Sequence, residues 1–264
     1  MNLSDKEIKP SGADFFFMPQ WPVLYEDNHL LALYKPSGLL IQQDRTKDVS
    51  LIDLARKWLK LKYDKPGNVF IGMVHRLDRP VAGVVLFCKT SKGAGRVSAS
   101  FRQGEVEKEY VAVAEGRLEK KTGRLLHHIR RRGSSSIVLD EPGSNSRKAA
   151  LTYRVLAEHK NRTLVSIRLE TGRHHQIRAQ FAHIGHPLAG DLRYGAPAPL
   201  DKKQIALFAV RLSLPHPVKK TMITFSLPLP RGWPWSGNCG VEDSLFWNWN
   251  DVRDQVMEGF QGTS

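Results

Sequence analysis

Hydrophobic and polar positions along this chain change period several times, and each change marks an expected element. Val23-Leu24-Tyr25 and Leu30-Leu31-Ala32-Leu33-Tyr34 flank the polar Glu26-Asp27-Asn28, which predicts two short strands around a turn. Lys35-Pro36-Ser37-Gly38 breaks that run. Leu51, Leu54, Ala55, Trp58 and Leu59 then recur at helical spacing, with Ser50 placed as N-cap and Asp53 in the first turn. An amphipathic helix follows from that pattern, and Pro66-Gly67 ends the unit. Val84–Phe87 reads as a strand, and Ser91 is expected to cap a second helix with Ala94, Val97, Ser98 and Phe101 on one face.

From Glu107 to Glu115 the chain alternates, with Tyr110, Ala112 and Ala114 on one side and Val111 and Val113 on the other. That is a strand signal. Further strands are expected at Ala150–Leu156, Thr163–Glu170, Ile205–Leu212 and Met222–Leu227, and a helix over His175–Ile184. Residues 120–139 carry no acid and are expected as a loop holding Lys120, Lys121, Arg124, Arg130, Arg131 and Arg132. Strands outnumber helices and their connections are short, so the fold class is α+β, with a mainly antiparallel or mixed sheet. No internal repeat or low-complexity tract is visible.

Composition narrows the setting. A chain of 264 residues with 41% hydrophobic content can bury a sizeable core without staples. Cys88 and Cys239 match no metal-ligand or redox spacing, which suits a reducing compartment. The first residues lack the basic-then-apolar layout of an export signal, and no apolar run approaches the roughly 20 residues of a membrane span. The expectation is a cytoplasmic protein without membrane contact. The formal net charge is +14; residues 233–264 carry −4 of it, leaving +18 on residues 1–232. Such a body favours a polyanionic partner, because each Lys or Arg that meets a phosphate releases condensed counterions.

Against that background Asp78 stands out. Between residues 65 and 104 it is the only carboxylate, among seven Lys and Arg residues. It lies in His75-Arg76-Leu77-Asp78, and together with the Lys108-Glu109-Tyr110 strand and Thr171-Gly172-Arg173-His174-His175-Gln176-Ile177-Arg178 this resembles the three motifs of RluA-type pseudouridine synthases. Lys35-Pro36-Ser37-Gly38 and His183-Ile184-Gly185-His186-Pro187-Leu188-Ala189-Gly190-Asp191 are further matches in the same order. The resemblance covers roughly residues 23–230.

It implies isomerisation of uridine to pseudouridine in structured RNA, ribosomal or transfer, on a bent, mainly antiparallel sheet, without cofactor, metal or obligatory protein partner. Asp78 would be the catalytic aspartate, Arg178 its ion-pair partner and Tyr110 the ring stacked on the target uracil. Ile177 would form the other wall of the base pocket, and Arg173, His175 and Gln176 of the same motif would also meet substrate. Arg76 would occupy the gap left by the extruded uridine, since flipping costs a few kcal/mol. The basic 120–139 segment is then either an RNA-gripping finger or a solvated excursion.

Two departures accompany the match. Val81-Ala82-Gly83 stands where the family carries Thr-Ser-Gly, and Gln42 where a histidine is expected. They leave room for a second reading, an RNA-binding or RNA-assembly protein without turnover. A metal-dependent hydrolase built on His174, His175, His183 and His186 is disfavoured, because no acid or cysteine falls between 171 and 190. The expected organisation is an extension over 1–22, a catalytic domain over 23–232, and an aromatic, acidic extension over 233–264. Within that last segment a helix at 241–260 would pack on the body.

Overall fold

The structure is a computed structural model and describes residues 23–200, 204–230, 233–235 and 246–247. The first four strands are β1 (Val23–Glu26), β2 (Leu30–Lys35), β3 (Gly72–Met73) and β4 (Ala82–Cys88), with helix α1 (Leu51–Lys62) between β2 and β3. Helix α2 (Ser91–Gln103) leads to β5 (Glu107–Glu115), β6 (Thr122–Arg132), β7 (Ser135–Leu139), β8 (Arg147–His159) and β9 (Arg162–Leu169). Then come α3 (Gln176–His183), a 3-10 turn at Leu192–Tyr194, β10 (Leu207–Pro215), β11 (Met222–Ser226), β12 (Leu229–Pro230) and β13 (Phe246–Trp247).

Eleven strands form one sheet in the order β1-β2-β4-β10-β5-β9-β8-β6-β7, with β3 on β4 and β11 on β10. All its pairings are antiparallel except β4 with β10, where Phe208 lies beside Ala82 and Ala209 beside Gly83. The α+β, mainly antiparallel fold expected from the pattern is what forms.

Alternation decides which face each strand offers. On β5, Tyr110, Ala112 and Ala114 enter one core layer and Val111 and Val113 the other. The first layer is completed by Leu51, Ala55, Trp58 and Leu59 of α1 and by Ile177 and Phe181 of α3. Val97 of α2 belongs to the second layer. Ser50 caps α1 through a reciprocal capping box with Asp53, as the sequence implies.

Two expectations need correction. The cap of α2 is Thr90, whose Oγ1 accepts from Gly93 N at 3.1 Å, so Ser91 is already helical. The basic 120–139 segment is no loop. It forms the β6–β7 hairpin, turning at Gly133-Ser134, because β6 finds a partner in β8 from Thr122 to Ile129. Charge masked this strand: with one side in water, Leu125 and Ile129 are the apolar side chains it packs inward, beside the half-buried His127. The helix expected over 241–260 lies outside the described residues, apart from Phe246–Trp247, which pair as a strand with Leu229–Pro230. Trp233 is buried in the second core layer and Trp235 packs against it. Among the described residues, no helix is long and apolar enough to cross a membrane.

Candidate active site

The loop that carries Asp78 is held from both sides. Lys35, at the end of β2, is fully buried, and its Nζ donates to the carbonyls of Pro36, Arg79 and Val81 at 2.9, 3.1 and 2.7 Å. Burial lowers its pKa to about 7. Ser37 Oγ donates to Pro80 O at 2.9 Å and Gly38 N to Arg79 O at 2.8 Å. His75 Nε2 accepts from Leu86 N at 2.8 Å on the other side. The Lys35–Gly38 turn is therefore a cradle for residues 79–81, and bonds to their backbone carbonyls hold the loop where Val81 and Ala82 bring no hydroxyl.

Asp78 Oδ2 accepts from Arg178 Nη1 at 3.1 Å and lies 3.4 Å from His175 Nε2. Arg178, in the first turn of α3, turns the rest of its fork to Asp191: Nε and Nη2 donate to Oδ2 and Oδ1 at 2.7 and 2.8 Å. Burial works against the guanidinium charge, but Asp191 and Asp78 more than offset it and raise the pKa. The Tyr194 ring lies 5.1 Å from the same guanidinium.

His175 adopts a left-handed conformation, φ 54°, immediately before α3. A non-glycine residue held there is strained, and the surrounding bonds must hold it. Tyr194 Oη, which accepts from Ser136 N at 2.8 Å, is 2.9 Å from His175 Nδ1. With the Asp78 carboxylate facing Nε2, the neutral tautomer that serves both neighbours carries its hydrogen on Nε2 and accepts the Tyr194 O–H at Nδ1. Burial first, then the nearby Arg178 charge, lowers the His175 pKa to about 2, so the ring is neutral. His174 stacks on it with centroids 3.8 Å apart, and Ser136 Oγ donates to the His174 carbonyl at 2.7 Å.

Tyr110 reaches the site from β5, paired with Ala209 on one side and Ile167 on the other. Burial and the Asp78 charge raise its phenol pKa, so it stays protonated. A pocket of about 80 Å³ joins these groups, and all eight residues singled out in the sequence line it, with Leu77, Val81, Leu169 and Leu207 as apolar wall. Asp78 is its one carboxylate. The eight are not alike in what they offer. Gln176 spends its amide on Thr171 Oγ1, Arg173 N and Ala150 O, at 2.7, 3.0 and 3.0 Å, and so shapes the turn. Arg173 Nε donates to Lys148 O at 2.9 Å, whereas Ile177 and Tyr110 present apolar surface.

The pocket adjoins a cleft of about 810 Å³ lined by Arg76, Arg79, Arg131, Arg193 and the buried Arg178, with Asp44 and Asp78 as its acids. Such a lining suits a phosphate chain. Arg131 comes from the β6–β7 hairpin, and Arg193 Nη1 ties that hairpin down by donating to Ser134 O at 2.6 Å. Gln42, where a histidine was expected, also lines the cleft.

Sequence reasoning missed Lys35, Asp191 and Tyr194 as parts of this site. Lys35 and Asp191 stood in recognised motifs, but nothing in the sequence said that one cradles the loop and the other orients Arg178. Tyr194 carried no signal, since its role depends on two partners distant in the chain.

Comparison with known proteins agrees with this geometry. Residues 29–183 match the RNA pseudouridylate synthase family profile. Ribosomal large subunit pseudouridine synthase D of Haemophilus influenzae is 31% identical over 224 residues, covering 79% of this chain and 67% of that protein. An RNA pseudouridine synthase of Bacillus subtilis, YhcT, is 32% identical over 79% of this chain and 68% of its own length. The solved structure of human RNA pseudouridylate synthase domain containing 4 superimposes with a TM-score of 0.67 at 22% identity, covering 80% of this chain and 89% of that one, a likeness of fold. The chain belongs to the RNA pseudouridylate synthase family, in its RluA-type branch, and is an isomerase of that class.

Proposed function

We propose that this enzyme isomerises uridines of ribosomal RNA, with Asp78 as its essential carboxylate. The observation that carries the reading is the single pocket in which Asp78, ion-paired to Arg178, faces Tyr110 and Ile177. The reaction breaks the N1–C1′ bond, turns the uracil and forms a C5–C1′ bond, and the C5 hydrogen leaves as a proton. A carboxylate suits both halves, as nucleophile or as stabiliser of positive character while the bond is broken and as proton acceptor afterwards. Arg178 keeps Asp78 ionised and oriented, and Tyr110 and Ile177 bracket the flat base.

A base within a stacked helix cannot reach a pocket this small, so the target uridine is flipped out and Arg76 at the rim takes its place. The arginine-lined cleft holds the flanking phosphates. Ribosomal RNA is the favoured substrate because several relatives are named as ribosomal large subunit pseudouridine synthases C and D. The catalytic unit of this reading is residues 23–232, working in the cytoplasm, where a free thiol such as buried Cys88 is stable.

The test is tritium release from RNA labelled at uridine C5, prepared from cells lacking this protein, comparing wild type with Asp78→Ala. Release by the wild type alone supports the reading, and fractionating the RNA identifies the target. Tight RNA binding without release by a folded wild type would instead favour an RNA-binding protein without turnover.

A further inference from the structure

Away from the pocket, three side chains from three elements converge at the surface. His127 lies on β6, Asp140 directly follows β7, and His183 closes α3. One ligand atom of each lies within 4.8 Å of the other two. His183 Nε2 is 2.8 Å from Asp140 Oδ1, and the His127 and His183 rings meet edge to face with centroids 5.0 Å apart. We infer that His127, Asp140 and His183 form a binding site for a divalent transition-metal ion of the zinc class, which clamps the β6–β7 hairpin to α3.

The donor set argues for this chemistry. Two imidazoles and one carboxylate suit zinc or its neighbours, whereas calcium and magnesium take oxygen ligands. Three protein ligands leave a fourth tetrahedral position for water. Metal–ligand bonds of about 2.0–2.2 Å place tetrahedral donors roughly 3.3–3.6 Å apart, so the present spacing needs shifts of about an ångström, which the exposed Asp140 and His183 can supply toward the half-buried His127. The ion takes the place of the hydrogen now shared by His183 and Asp140.

Gln180 does not stand in the way. Its Nε2 has two hydrogens but three acceptors: Ala149 O at 3.2 Å, Leu125 O at 3.4 Å and His127 Nδ1 at 3.0 Å. Releasing His127 to a metal leaves the amide with both carbonyls. Sequence spacing hid the site because its acid, Asp140, is far along the chain from His183 and reaches it only through the hairpin.

The position gives the ion a consequence. The hairpin it would fasten contributes Arg131 and Ser134 to the arginine-lined cleft, and the helix at its other side carries Arg178. Metal binding therefore holds one wall of the cleft against the helix that orients Asp78.

The experiment uses the full chain without a histidine tag, and no RNA, so its outcome is independent of the proposed reaction. Zinc chloride is titrated calorimetrically into wild type and into the Asp140→Asn/His183→Gln double variant, both first shown to have the same melting temperature without metal. The expected result is one ion per chain, an affinity at least tenfold weaker in the double variant, and zinc-dependent slowing of amide exchange across residues 122–139 in the wild type alone. No saturable binding, or equal binding by the double variant, overturns the proposal.

Discussion

Arg178 is bound more closely by Asp191 than by Asp78. It gives two bonds of 2.7 and 2.8 Å to the first and one of 3.1 Å to the second, and Asp191 is the more buried carboxylate. One acid fixes the guanidinium, and the guanidinium then positions the other acid. Asp78 keeps a side open to the pocket because Asp191 does the anchoring.

Removing that anchor exposes the hierarchy. Asp191→Ala leaves a buried guanidinium short of one counter-charge, and the expected loss of stability is about 3–5 kcal/mol by urea unfolding. Arg178→Lys keeps the charge but cannot span both carboxylates, so it is expected to fold while losing on the order of 10²-fold in turnover. Turnover close to wild type in Arg178→Lys would show that the fork does not position Asp78.

Tyr194→Phe removes one hydroxyl that serves two partners, Ser136 N and His175 Nδ1. The expected stability cost is about 1 kcal/mol. Turnover should fall by about tenfold with KM little changed, since His175 is no longer held with its Nε2 hydrogen toward Asp78. Steady-state kinetics on labelled RNA checks the split; a change confined to KM would place Tyr194 in binding instead.

Gly83→Ala tests the one parallel contact of the sheet. Gly83 has φ +130°, and an added Cβ would lie 2.7 Å from Ala209 Cα and nearer still to that residue's backbone N and O. Neither strand can yield without breaking the β4–β10 pairing that places the Asp78 loop beside β5. A loss of about 4 kcal/mol or more is expected, visible in thermal unfolding.

Acid should destabilise the fold partly through two histidines. Desolvation lowers His75 from 6.5 to about 4, and burial lowers His175 from 6.5 to about 2. Both are neutral when folded, so below 6.5 the unfolded chain takes up protons that the native state refuses, and stability falls with pH. The His75 part is complete near pH 4 and the His175 part continues toward 2. Urea unfolding across this range should give a flatter slope between 6.5 and 4 for His75→Gln, whose amide oxygen can still accept from Leu86 N; an unchanged slope would show that His75 is protonated in the native state.

By itself the sequence determined what rests on short-range periodicity and on ordered motifs. The alternation of β5 assigns Tyr110 and Val111 to opposite core layers because successive strand side chains must point to opposite faces. The capped spacing of α1 fixes its buried stripe for the same kind of reason. The motifs around Asp78, Tyr110 and Arg178 carry the family and the candidate chemistry, and all eight residues drawn from them line one pocket. The tertiary structure decided the rest. Residues 122–139 became strands only because β8 offers backbone partners to a segment too charged to reveal its own alternation. Asp191, Tyr194 and Lys35 acquired their roles from partners far away in the chain, at distances of 2.7–3.1 Å that no local pattern encodes. Local spacing governs which face a residue shows, whereas the hydrogen bonds that orient a carboxylate exist only after distant segments have packed together.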